Sequence, residues 1–309
     1  MTHSHWLLLA LVPLIIAVAR AGEPAAAATL AFTAEGKEFR FDTGMLKGTL
    51  RPEGRQQGKS LGLQPLIEVG AGTSVANPHG IFSLYRLLSA DARYGTAGWD
   101  WASEPKLLAD GAAEVRWSAD KDHPFDMTAV YRWSAANTLD LQVTVKPQQD
   151  LKCFELFLAS YFNGFPATFA YVRENPDADG KPGFVEVKKG AVVWHTFPRD
   201  EKTAAIFADG RWKRPPNPVD WKIMPQLAAP IALRRDAKTG LAVVLMAPVE
   251  DCFAISMPFG EEPHRSVYMS LFGRDIKAGE SATARARLVI GKDISDEKAA
   301  ELYKAYVRK

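Results

Sequence analysis

The stretch MTAVYRWSAANTLDLQVTVK, residues 127–146, decides the fold class. Met127, Ala129, Tyr131 and Trp133 alternate with Thr128, Val130 and Arg132. After Ala135-Ala136-Asn137, the residues Leu139, Leu141, Val143 and Val145 alternate with Asp140, Gln142, Thr144 and Lys146. A period of two sends successive side chains to opposite faces, so each half predicts a half-buried strand and the short link predicts a hairpin turn. The pattern returns where Ala284, Ala286, Leu288 and Ile290 alternate with Arg285, Arg287 and Val289. Working outward, apolar runs predict further strands over 38–43, 45–50, 61–69, 82–88, 113–118, 151–160, 168–172, 184–188, 191–196, 204–208, 231–235, 241–247, 253–258 and 267–272. Strands that follow one another without helical crossovers pair antiparallel. So many in one run predict an all-β chain folded as a large antiparallel β-sandwich.

One helix is expected, at the C-terminus over 295–309. Ser295 suits an N-cap, and Asp296 and Glu297 occupy the first turn, where the helix dipole favours acids. Leu302, Tyr303, Tyr306 and Val307 then form one apolar stripe that predicts docking as a terminal brace. No composition break divides residues 30–309, which are expected to form a single domain. The Pro-rich segment 214–230 is too short, and too rich in Trp and Met, for a free linker.

The chain has 309 residues, 47% hydrophobic and 24% charged, with 38 Lys and Arg against 36 Asp and Glu. This balance excludes a disordered chain, and it excludes a nucleic-acid binder driven by bulk positive charge. Residues 6–19 (WLLLALVPLIIAVA) match a signal-peptide core, and Ala19-Arg20-Ala21 supplies an A-x-A cleavage pattern. The expectation is export to a periplasmic or extracellular space with 1–21 removed, leaving 22–29 as a flexible tether. Without the one Arg of that leader, the remainder carries a net charge of +1. No other apolar run approaches the roughly 20 residues of a membrane span, so no membrane association is expected after cleavage.

Two segments carry a resemblance. LASYFNGF (158–165) is similar to the aldose epimerase motif in which a catalytic His stands two positions before Tyr-Phe-Asn. SVYMSLFGRDIKAGESATARARLVIG (266–291) resembles the closing hairpin of the same fold. Both point to the galactose mutarotase-like supersandwich superfamily, found in aldose epimerases and many sugar-active enzymes. The resemblance is strongest between about 127 and 291, and it implies a β-supersandwich that engages carbohydrate. Tyr161, Phe162 and Asn163 fit the motif, but Ala159 occupies the position of its His. A methyl group cannot transfer a proton, so standard aldose 1-epimerase activity is not expected.

Chemistry is then sought elsewhere. His195, in VVWHTFPRD, ends an apolar strand beside a charged loop and is the first candidate acid or base. His79 (NPHG) ranks second. Glu250, in PVEDCF, is chosen as partner because it follows a late apolar strand; Glu261 and Glu262 (FGEEPH) are the other carboxylates of interest. Loop indoles are costly to expose and make flat platforms for sugar faces. Trp99, Trp101, Trp212 and Trp221 are the candidates, with Arg86, Arg199 and Arg214 as basic groups suited to an acidic sugar. No metal or other cofactor is expected: the histidines lack ligand spacing, and NPDADGKPG (175–183) lacks the downstream Glu of a calcium loop. In an oxidising compartment Cys153 and Cys252 can pair, and two separately buried thiols are the alternative. Two functions stay open: a sugar-active hydrolase, lyase or isomerase, and a noncatalytic carbohydrate-binding or structural envelope protein.

Overall fold

The computed structural model describes Met1, residues 30–52 and residues 62–308; apart from Met1, the expected signal peptide and tether lie outside the described residues. Five strands come first, β1 (Thr33–Glu35), β2 (Glu38–Asp42), β3 (Leu46–Arg51), β4 (Gly62–Glu68) and β5 (Thr73–Ser74), paired in chain order as one sheet. Then come β6 (Ser83–Leu88), β7 (Glu104–Leu107), β8 (Ala113–Trp117), β9 (Phe125–Ala135), β10 (Thr138–Pro147), β11 (Leu151–Tyr161), β12 (Ala167–Val172), β13 (Gly183–Glu186) and β14 (Trp194–Pro198). Helix α1 (Glu201–Ala208) precedes β15 (Lys222–Ile223), β16 (Leu227–Arg235), β17 (Leu241–Met246), β18 (Cys252–Pro258), β19 (Ser266–Ile276), β20 (Ala282–Lys292) and α2 (Asp296–Val307). The protein is an all-β sandwich.

The 127–146 stretch forms the hairpin its alternation demands. Leu139 faces Trp133 and Val143 faces Ala129 across β9 and β10, and all four are buried. These strands sit within a nine-stranded sheet of order β13-β12-β16-β17-β20-β10-β9-β8-β7. A six-stranded sheet, β15-β14-β18-β19-β11-β6, shares a core with it and with the first sheet. Every pairing among the described strands is antiparallel except the two-residue parallel match of β14 with β15. The helix α2 docks as expected. Ser295 accepts from the Lys298 amide, while Ala299, Leu302, Tyr303 and Tyr306 cover the outer face of β16, β17 and β20.

The six-stranded sheet is covered on both faces, and this positions the site. On β11, Phe154, Leu156 and Leu158 enter the central core, whereas Phe157, Ala159 and Tyr161 belong to a second apolar cluster on the opposite face. That second face is roofed by α1 and the loop 209–221, here called the cap. The expected strand over 204–208 is instead the second half of α1. Asp200 and Thr203 build a capping box: Asp200 accepts from the Thr203 amide, and Thr203 Oγ1 accepts from the Asp200 amide. Ile206 and Phe207 then fall on the buried side of the helix.

Candidate functional site

A cavity of about 380 Å³ opens between the outer face of the six-stranded sheet and the cap. Strand alternation builds most of its floor: β11 contributes Phe157 and Tyr161, β19 contributes Tyr268 and β14 contributes Trp194, while β6, whose register against β11 shifts at Tyr85, contributes both Tyr85 and Arg86. Phe157 and Tyr268 stack at 4.6 Å, and Tyr161 meets Tyr268 edge-on at 5.8 Å. The cap adds Trp212, 4.5 Å from Phe157, and Trp221, 5.2 Å from Trp212 and 6.0 Å from Trp194. Asn217, Pro218, Val219 and His264 complete the lining. Ala159 lies between Phe157 and Tyr161 on this same face, paired with Tyr268.

The polar groups of the cavity are mostly donors. Arg86 is 5% exposed; its Nη2 donates to the carbonyl oxygen of Asn217 at 2.9 Å, and its guanidinium lies 5.1 Å from the Trp212 ring. Arg86 Nε, Trp212 Nε1 and Trp221 Nε1 are all buried without a hydrogen-bond partner. Buried N–H groups are almost always paired, and leaving one unmade costs roughly 1–3 kcal/mol. Among the described residues, no carboxylate lines this cavity.

One carboxylate acts just behind it. Glu262 is 7% exposed, and its two oxygens accept from the His264 ring Nδ1 at 2.7 Å and from the His264 amide at 2.9 Å. The pairing assigns the proton to Nδ1 and leaves Nε2 as the free nitrogen of a half-exposed ring. His264 packs 6.2 Å from Trp194, and His79 lies 5.1 Å from Tyr161. Burial, reinforced by His264, holds His79 below the usual imidazole range. Burial pushes the Tyr161 hydroxyl up and that of Tyr268 up to about 12, so both stay protonated at neutral pH. The loop bearing Glu262 closes tightly: a Cβ on Gly260 would lie 1.7 Å from the Pro166 carbonyl oxygen.

Of the residues chosen from sequence, Arg86, Trp212 and Trp221 meet in this cavity. Trp99 stands beside it, stacked on Tyr85 at 4.5 Å and 4°. The others are placed elsewhere. Trp101 stacks on His123 at 3.7 Å against the central core. Arg199 pairs with Asp200 and donates to the Val249 carbonyl, and Arg214 donates to the carbonyls of Ser89 and Ala90. His195 and Glu250 are not brought together. Trp194 faces the cavity, so the next residue, His195, takes the opposite face of β14. Glu250 lies on an exposed turn, bound to Arg285 at 2.8 Å.

The cysteines are a correction of the possible pairing: both are free thiols. The strands that carry them are not neighbours, because β19 runs between β11 and β18. Two strand spacings amount to about 9.5 Å, beyond the roughly 7 Å limit for bridged Cα atoms. Cys252 Sγ donates instead to the Ala254 carbonyl at 3.2 Å. Sequence reasoning missed Tyr85, Phe157, Trp194, Tyr268 and His264 as site residues; it singled out Glu262 only as one carboxylate of interest and Tyr161 only as part of the motif. For Phe157 and Tyr161 the available signal was the consecutive apolar run Leu156-Phe157-Leu158-Ala159 of β11, which marks a strand covered on both faces.

No known family profile matches this chain, and no curated protein is significantly similar to it. Solved structures are similar in fold. A galactose mutarotase-like protein from Lactobacillus casei superposes with a TM-score of 0.50 at 10% identity, covering 82% of this chain and 100% of that one. A putative aldose 1-epimerase from Escherichia coli K12 gives 0.41 at 13% identity, covering 85% and 99%. The galactosidase domain of an alpha-galactosidase–sucrose kinase gives 0.48 at 10% identity, covering 85% and 42%. The fold resembles that of the galactose mutarotase-like protein, in line with the resemblance of the two sequence segments. Among the described residues, no group of three His, Cys, Asp or Glu side chains is placed to hold a metal ion.

Proposed function

We propose that this protein binds an anionic sugar residue in the aromatic cavity. The observation that carries the reading is the set of three buried, unpartnered N–H groups of Arg86, Trp212 and Trp221 at one site. Each lacks an acceptor within the chain, and sugar hydroxyls and carboxylates supply acceptors. The aromatic rings offer flat faces to the C–H surface of a pyranose. Arg86, which lines the cavity, supplies the positive charge that an anionic ligand needs. The galactose mutarotase-like neighbours support a sugar-related role. The leader pattern of 1–21 supports export, so that the ligand is met outside the cytoplasm, and the near-neutral remainder disfavours nucleic acid.

Calorimetric titration with uronic-acid oligosaccharides and their neutral counterparts tests this. The acidic series binds more tightly, and Arg86→Met weakens that binding by about 10- to 100-fold, the loss of hydrogen bonds to a charged group. Its effect on the neutral series is small. Equal affinity for both series, or an Arg86→Met protein that binds as well as the native one, would refute the assignment.

A further inference from the structure

We infer that the cavity is catalytic: His264, oriented by Glu262, removes the proton α to the carboxylate of a bound uronic-acid residue, and Tyr161 protonates the departing oxygen. This rests on the anionic-sugar reading above and narrows it to sugars whose anion is the C6 carboxylate.

The first support is the imidazole. Glu262 commits both oxygens to His264, fixing the ring and its tautomer. The arrangement is that of a base held by a buried carboxylate, and Glu262 acts only through His264, as a positioning residue. The lone pair of Nε2 is left for a ligand in the cavity that His264 lines. The second support is Arg86. A carbon acid beside a carboxylate becomes acidic only when the negative charge that develops on that carboxylate is neutralised, and a buried guanidinium with a spare N–H does this. The third is Tyr161, whose ring meets Tyr268 at 5.8 Å while Tyr268 lies 6.4 Å from Trp194, the neighbour of His264. A phenol kept protonated by burial is a proton donor for an oxygen that leaves.

Elimination is favoured over hydrolysis by what lines the cavity. Glycoside hydrolysis ordinarily uses two carboxylates flanking the bond, and among the described residues none lines this site. Elimination needs only a base, an acid and a neutralised carboxylate. The step balances without a co-reactant. The C5 proton passes to His264 Nε2, and its bonding electrons form the C4=C5 double bond. The C4–O bond breaks, and its oxygen takes the Tyr161 proton. The imidazolium and the phenolate then exchange one proton through solvent, restoring both.

The full chain is incubated with polygalacturonate, alginate and hyaluronan, and the ultraviolet absorbance of the unsaturated uronate is followed. At least one polymer gains double bonds. His264→Gln lowers kcat by roughly 10²- to 10⁴-fold with calorimetric affinity within about threefold. His264→Ala is partly rescued by added imidazole. Glu262→Gln lowers kcat by at least about tenfold with KM unchanged, which separates orientation from binding. Near-ultraviolet circular dichroism confirms that each variant is folded. If none of the three polymers gains a double bond, or if His264→Gln turns over at the native rate, the inference is overturned. Calorimetry on the same samples judges the anionic-sugar reading separately, because binding without unsaturated product removes the catalysis and leaves the binding.

Discussion

His195 shows how one residue can be noticed for a good reason and belong to a different part of the molecule. It ends an apolar run beside Arg199 and Asp200, which suggested an exposed acid or base. The structure turns it to the buried face of β14, opposite Met257, with its Nδ1 unpartnered. Burial, and then the nearby Lys222, hold its pKa below the usual imidazole value. The unfolded chain therefore binds a proton at a higher pH than the folded one, and stability present above the unfolded value of about 6.5 is lost as pH falls below it. The urea midpoint is expected to fall between pH 7 and pH 5, and to fall less in His195→Gln; equal slopes would exclude this role. His264 was legible only as one of four histidines outside the leader, because its partner Glu262, two positions away, becomes meaningful once the loop is closed. Trp212, Trp221 and Arg86 were legible by type, since indole and guanidinium are residues that ligand sites use. Tyr161 was quoted for its motif, but the cavity it lines is invisible until the cap is in place.

Among the elements, the cap and its helix are where sequence pattern and structure part. Alternation serves strands that are wet on one side, and β9, β10 and β20 obey it. It fails for 204–208, where three alanines, Ile206 and Phe207 fit a short helix as readily as a strand and the capping box of Asp200 and Thr203 decides. The cap is seated by a buried charge pair. Arg211 Nη1 lies 3.3 Å from Glu155 Oε2, both side chains are wholly buried, and Ser270 donates to the other Glu155 oxygen at 2.8 Å. Arg211 Nε also pairs with Asp209 at 2.9 Å, fixing the turn that presents Trp212. Removing one partner strands a charge, so Arg211→Met is expected to cost about 3–5 kcal/mol in urea unfolding. The double variant Arg211→Met, Glu155→Met recovers most of that loss, because replacing a buried pair with apolar groups is often neutral. If the double variant is no more stable than the single one, the pair is not the anchor of the cap.

On the scale of the whole molecule, the sandwich was legible from hairpin alternation and from the scarcity of helices. The strand order was not. Which strands flank β11 depends on pairings far apart in sequence, and the separation of the two cysteines follows from that. With β19 interposed, denatured protein titrated with a thiol reagent is expected to give two free thiols per chain; none would mean that the strands are ordered otherwise. The same order places the floor of the cavity on β11 and β19 at the middle of a sheet, and the roof on a loop that crosses it. The sheet residues are tied to the core by their neighbours, whereas the roof is tied by single contacts: Arg211 to Glu155, Arg214 to the Ser89 and Ala90 carbonyls, and the Asn217 carbonyl to Arg86. Between Trp212 and Trp221, residues 213–220 belong to no strand or α-helix of the fold. Descendants of such a chain can lengthen or rewrite that span and admit a different ligand to the cavity, while inheriting the sandwich unchanged.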